Sequence, residues 1–161
     1  MKRSSATVAA VVVAMLCVAG AAHGAEEQTR ESYVATVEPI CQRDREAGER
    51  ILKGARENIN DGELVVAGRK LIRASQRFGT TIREIVAVPR PPADEAKLQK
   101  WFGFLRIVKE RIRKTGKLYK EGERLKATHE SIAVERSGNA ANNVSFAFHF
   151  RYCRLSRSRF S

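Results

Sequence analysis

Leu98-Gln99-Lys100-Trp101-Phe102-Gly103-Phe104-Leu105-Arg106-Ile107-Val108-Lys109-Glu110-Arg111-Ile112-Arg113-Lys114-Thr115-Gly116-Lys117-Leu118-Tyr119 is the stretch that decides the fold. Leu98, Trp101, Leu105, Val108, Ile112 and Tyr119 recur at three- and four-residue steps, which puts them on one stripe of an α-helix. The pattern predicts a helix over 93–121, with Gly122 as its break. A single amphipathic helix cannot bury its stripe alone, so partners of the same kind are required.

The flanking sequence supplies them. Residues 31–60 carry Val34, Val37, Cys41, Ile51, Leu52, Ala55 and Ile59 at helical spacing. Pro39 sits inside that pattern and should either kink the helix or mark the start of its main part, with Thr36 as a cap. Asn60-Asp61-Gly62 is a stop and turn. A second helix is predicted over 63–88 from Leu64, Leu71, Phe78, Ile82 and Ile85, ended by Pro89-Arg90-Pro91-Pro92. Pro92 suits the first position of the next helix, with Asp94 and Glu95 in its first turn. A fourth helix is predicted over 123–142 from Leu125, Ile132, Val134 and Ala140, with Gly138 and Asn139 weakening its second half.

From residue 144 the period changes. Val144, Phe146, Phe148, Phe150 and Tyr152 alternate with smaller or polar residues, which is the period of extended chain. No sheet partner is evident. An extended aromatic segment over 144–161, packed across the open end of the bundle, is the expectation; continuation of the fourth helix to Cys153 is the alternative. Four helices with short links give an all-α, up-down-up-down four-helix bundle.

The amino terminus reads differently. Met1-Lys2-Arg3 is basic, Ala6 to Ala22 carry no charge, and Ala22-His23-Gly24 sets small residues before Ala25. That is the order of a secretory signal peptide over 1–24, with 25–161 as one mature domain. An uncleaved anchor is the competing reading, since the uncharged run is of membrane-spanning length. Cys17 lacks the small preceding residue of a lipidated cysteine. No transmembrane span is expected in the mature chain.

An exported chain changes what its cysteines mean. The mature part keeps Cys41 and Cys153, and an even pair in an oxidising compartment reads most simply as one disulfide. In the predicted topology both fall at the same end of the bundle. Free thiols, or a catalytic thiol with His129 or His149, form the other reading.

Tyr33-Val34-Ala35-Thr36-Val37-Glu38-Pro39-Ile40-Cys41, together with Val144-Ser145-Phe146-Ala147-Phe148 running into Tyr152-Cys153-Arg154, resembles small secreted helical-bundle proteins of high-GC Gram-positive bacteria. The resemblance covers most of the mature chain. Its motifs are structural, with one cysteine in each, so it implies a Cys41–Cys153 bridge and no activity. Leu155-Ser156-Arg157 stands where a proline often follows the terminal Cys-Arg.

The chain holds 30 Lys+Arg against 18 Asp+Glu, a net charge of +12. Lys2 and Arg3 leave with the signal segment, so 28 basic and 18 acidic residues remain, a balance of +10. The charge is concentrated. Arg106, Lys109, Arg113, Lys117, Lys120 and Arg124 follow steps of three and four, on an edge beside the apolar stripe. Arg154, Arg157 and Arg159 add a basic tail. A row of this kind suits an anionic envelope polymer, lipid headgroups or another protein; a solvated face that keeps the chain soluble gives the same pattern.

Catalytic signatures are not found in the sequence. Cys-x-x-Cys-His, His-Glu-x-x-His and paired Glu-x-x-His do not occur, nor do a phosphate loop, a dinucleotide fingerprint or Gly-x-Ser-x-Gly. No cofactor or metal is therefore expected, and His129 is expected at the surface. Asn143-Val144-Ser145 fits a glycosylation pattern that is frequent by chance. The reading is an exported, non-catalytic bundle of the cell envelope or exterior. A thiol-dependent enzyme or redox protein using Cys41 or Cys153 is the second class. Nonspecific nucleic-acid binding is a third, which would rest on charge alone and which export disfavours.

Overall fold

Thr29 starts the first helix. Its hydroxyl accepts from the Ser32 backbone N–H at 3.1 Å while the Ser32 hydroxyl accepts from the Thr29 N–H at 3.1 Å, a reciprocal capping box. The computed structural model describes residues 28–155. The stretch 1–24 expected to be a signal segment and the tail residues Arg157 and Arg159 lie outside the described residues.

Helix α1 spans Arg30–Leu52 and passes through Pro39 without a break. Pro39 is exposed, so the carbonyl it leaves without an N–H partner can turn to water. Thr36 does not cap: its hydroxyl donates to the Ser32 carbonyl at 2.8 Å, inside the helix. The predicted first helix is instead divided further along. Gly54 adopts a left-handed φ of 71°, and a short α2, Ala55–Asn60, follows at a new angle.

Helix α3 covers Leu64–Val86, α4 covers Glu95–Lys120 and α5 covers Arg124–Val144. A 3₁₀ turn at Pro92–Asp94 leads into α4. Gly122, at φ 78°, makes the reversal between α4 and α5. No strand occurs among the described residues. The fold is an all-α four-helix bundle with antiparallel neighbours. α1 packs on α3, α3 on α4 and α4 on α5, while α2 packs on α3.

The stripe read from the sequence is the core. Leu98, Trp101, Phe102, Leu105, Val108, Ile112 and Tyr119 are all buried on α4. Tyr33 and Val37 of α1 meet Ile82 and Ile85 of α3 against them. A second cluster, Leu71, Val108, Ile112, Tyr119 and Ala127, fills the other half. Gly138 does not weaken α5; it is buried, and Leu155 lies 3.7 Å from where its Cβ would be.

Beyond α5 the chain follows neither a continued helix nor a fully extended path. Phe146–Phe148 form one 3₁₀ turn, and His149 then takes a left-handed φ of 51°. That turn throws Phe146 outward, 74% exposed, and sends Phe148 and Phe150 into the core. The aromatic segment does cross the end of the bundle. Phe148 and Phe150 stack at 5.3 Å, Phe150 stacks on Trp101 at 5.0 Å, and Phe148 meets Tyr33 edge-on at 6.3 Å. The Glu38 carboxylate on α1 accepts the backbone N–H groups of Arg151 at 2.9 Å and Tyr152 at 2.8 Å. Asn142 clasps Leu155 in both directions, donating to its carbonyl at 2.7 Å and accepting its N–H at 2.9 Å.

Candidate functional site

The Cys41–Cys153 disulfide is present, with Cα atoms 4.9 Å apart and both residues buried. It closes the seam between α1 and the tail one turn beyond Glu38. Both sulfur atoms are thus committed to a structural bond, and neither His129 nor His149, both exposed, has a buried thiol to activate.

The cationic row is built by α4 and by the way α3 packs on it. Gly68 of α3 and Gly116 of α4 meet at their backbones; a Cβ on Gly116 would lie 2.7 Å from the Gly68 carbonyl oxygen. Two turns further, the Ser75 hydroxyl donates to the Lys109 carbonyl at 3.0 Å. This close contact leaves no room for long side chains between the helices. The stems of Lys109 and Lys120 therefore lie over Gly79 and Gly68, and their charged ends reach the rim.

Five of the six predicted residues share this edge of α4. Arg106, Lys117 and Lys120 are exposed and form no ion pair within 4.0 Å among the described residues. Lys109 and Arg113 both hold Glu110, at 2.6 and 2.7 Å. Their hydrogen bonds keep the Glu110 carboxyl below the usual carboxylate range, so it stays charged and offsets one cation. The sixth residue, Arg124, does not continue the row. It lies past the Gly122 reversal, at the start of α5.

The structure adds residues that a single-helix reading missed. In the antiparallel register set by Gly68–Gly116 and Ser75–Lys109, the exposed Arg69 of α3 stands near the level of Lys117, and the exposed Arg83 lies about one turn beyond the level of Arg106. Only the two helix-interior glycines hinted at this in the sequence. Arg111 and Lys114, by contrast, leave the edge. They bind Glu130 of α5 at 2.8 and 2.7 Å. Burial pushes the Glu130 carboxyl up, but the Lys114 and Arg111 hydrogen bonds outweigh it and the net shift is down.

At the opposite end of α4, Asp94 is buried and receives a bidentate pair from Arg30, both bonds 2.7 Å. Asp94 thereby joins the start of α1 to the start of α4 rather than capping α4 with its side chain. Among the described residues no group of three or more His, Cys, Asp or Glu is arranged to hold a metal, and no helix is long and apolar enough to cross a membrane. No protein-family model, curated protein or solved structure matches the chain.

Proposed function

We propose that this chain is an exported, non-catalytic helical-bundle protein that docks on an anionic surface of the cell envelope through the outer edge of α3 and α4. The observation that carries this reading is the exposed trio Arg106, Lys117 and Lys120 on one helix edge, unpaired among the described residues, with Arg69 and Arg83 alongside from α3. Cations set on rigid helices and not neutralised within the fold keep their charge available to a partner. The buried disulfide fits an oxidising compartment, in keeping with a signal segment over 1–24. It also removes the nucleophile on which a thiol enzyme would depend. The anionic partner is an envelope polymer or the headgroups of a lipid surface, with a protein partner as the remaining class; nucleic acid fits an exported chain poorly.

Two measurements test it. Intact mass of the protein recovered from culture supernatant should give an N-terminus at or near Ala25 and one disulfide. Cytoplasmic protein retaining Met1 would defeat the export reading. Sedimentation with vesicles containing anionic phospholipid should show binding at low ionic strength that weakens steeply toward 0.5 M salt, because salt screens exposed charges. Binding that ignores salt would defeat the electrostatic reading.

A further inference from the structure

The chain beyond the disulfide runs back along α5. Cys153 is bridged to Cys41, and two residues on Leu155 is held by Asn142 and lies 3.7 Å from where a Gly138 Cβ would be. Leu155 also packs on the cluster that contains Leu71, Ile112 and Tyr119. About one turn further along α5, in the direction this path takes, stand Glu135 and Val134, and then Ser131. These three line a cavity of about 360 Å³. It opens where α1 stops at Leu52 and Gly54 turns the chain into α2.

The lining is mixed in the way a peptide requires. Leu52, Ile59, Leu71, Ile112, Tyr119 and Val134 supply apolar and aromatic surface. The Thr115 and Ser131 hydroxyls donate to carbonyls of their own helices, at 2.9 and 3.0 Å, and keep oxygen lone pairs that can accept a peptide N–H. Glu57 and Glu135, both exposed, set two carboxylates in the lining against the one guanidinium of Arg56. On a chain of net charge +12 that is a local reversal of sign, and it favours a cationic occupant.

The sequence beyond Leu155 is Ser156-Arg157-Ser158-Arg159-Phe160. It offers two guanidinium groups to the two carboxylates, with small hydroxyl residues between them and one aromatic ring. A cavity of roughly 150 Å³ holds benzene, so this one takes a phenyl group with backbone beside it. The reach suffices. Gly138 to Ser131 is about 10 Å along α5, and residues 156–160 span about 16 Å when extended.

We propose that residues 156–160 dock in this cavity, with Phe160 among Leu71, Ile112 and Val134 and with Arg157 and Arg159 at Glu135 and Glu57. The chain supplies its own occupant, and the two arginines serve this seat rather than the cationic edge. No residue of that edge takes part, so the proposal does not depend on the envelope reading.

Nuclear Overhauser cross-peaks between the Phe160 ring and the methyl groups of Leu71, Ile112 and Val134, measured on the full chain with its disulfide intact, test it. The cross-peaks should be present. Phe160→Ala should shift those methyl resonances and leave Ile85, in the other core cluster, where it is. Arg157→Glu with Arg159→Glu should abolish the cross-peaks, and adding Glu57→Lys with Glu135→Lys should restore them. All four substitutions avoid the buried core, and an unchanged amide spectrum of α4 checks the fold. Replacing Arg106, Lys117 and Lys120 by Gln should leave the cross-peaks in place. Three results would overturn the proposal. One is folded wild-type protein without the cross-peaks, which would leave the cavity to an outside ligand. Another is cross-peaks that survive the charge reversal. The third is a reversal that the exchanged partners do not rescue.

Discussion

Gly68 and Gly116 touch backbone to backbone, the Gly68 carbonyl oxygen lying where a side chain on Gly116 would have to go. That contact sets the separation and register of α3 and α4. It also decides where the cations go, because the Lys120 stem has to lie over Gly68 and Arg69 comes level with Lys117. The packing of two glycines thus organises the surface assigned to docking.

Gly116→Ala should destabilise the protein by ~1–3 kcal/mol, the usual cost of overpacking, despite the better helix propensity of alanine. The added Cβ would lie 2.7 Å from the Gly68 carbonyl oxygen and 2.9 Å from Ile72 Cγ1, and the former is backbone that cannot swing aside. Gly103→Ala, in the same helix with nothing within 4 Å, should stabilise by ~0.5–1 kcal/mol. Urea denaturation of both variants checks the opposite signs.

Phe150→Ala should cost about 3–5 kcal/mol, because its ring is buried between Phe148 and Trp101. Phe146→Ala, four residues earlier in the same alternating run, should cost less than about 0.5 kcal/mol at 74% exposure. Equal losses in thermal melts would mean that the left-handed turn at His149 does not divide the segment as described.

The bridge spans a sequence separation of 112. Replacing Cys41 and Cys153 by Ser together should lower stability by ~4–5 kcal/mol in the chain-entropy account. Nonreducing peptide mapping should recover the linked pair, and free alkylation of both thiols in the native protein would contradict it.

The four-helix architecture, the α4 core and the disulfide could be read in the sequence because each rests on local periodicity or on cysteine count. Trp101 and Leu105 follow from spacing alone. The Gly54 turn did not show, since Ile51, Leu52, Ala55 and Ile59 keep an apolar pattern on both sides of it and a single left-handed residue leaves no periodic trace. Thr36 looked like a cap because Pro39 suggested a helix start; Thr29, with Ser32 three residues on, was the actual cap. Phe146 and Phe150 are alike in sequence and opposite in burial, a difference made by the positive φ at His149. The cationic edge was visible as a row on one helix. Within that row Glu110 of the same helix holds Lys109 and Arg113, while the pairing of Arg111 and Lys114, off the row, with Glu130 of α5 crosses helices and leaves no trace in sequence spacing.

Acid should weaken the junction of α1 and α4. The Arg30 guanidinium, hydrogen-bonded to Asp94, holds the Asp94 carboxyl below the usual range. In the unfolded chain that group titrates near ~3.9. Its contribution is therefore fully present above about pH 4 and is lost as the pH falls through the lower folded-state value. The melting-temperature gap between wild type and Asp94→Asn should be widest at neutral pH and close as the pH drops from about 4 toward 2. A gap independent of pH would show that the ion pair does not contribute.

The docking account is tested most directly by comparing two triple variants of equal charge on anionic phospholipid vesicles. One carries Arg106→Gln, Lys117→Gln and Lys120→Gln on the edge. The other carries Arg43→Gln, Lys100→Gln and Arg136→Gln, exposed positions elsewhere. Arg69, Lys70 and Arg73 would be a poor control, because Lys70 holds Lys53 and Asn58 and Arg69 stands beside the edge itself. At ~1 kcal/mol per cation near a charged membrane, the edge variant should bind about 100-fold more weakly. The control should lose less than about threefold, and neither melting temperature should move much, since exposed charges contribute little to stability. Equal losses from the two variants would show that only net charge matters and would contradict a docking edge on α3 and α4.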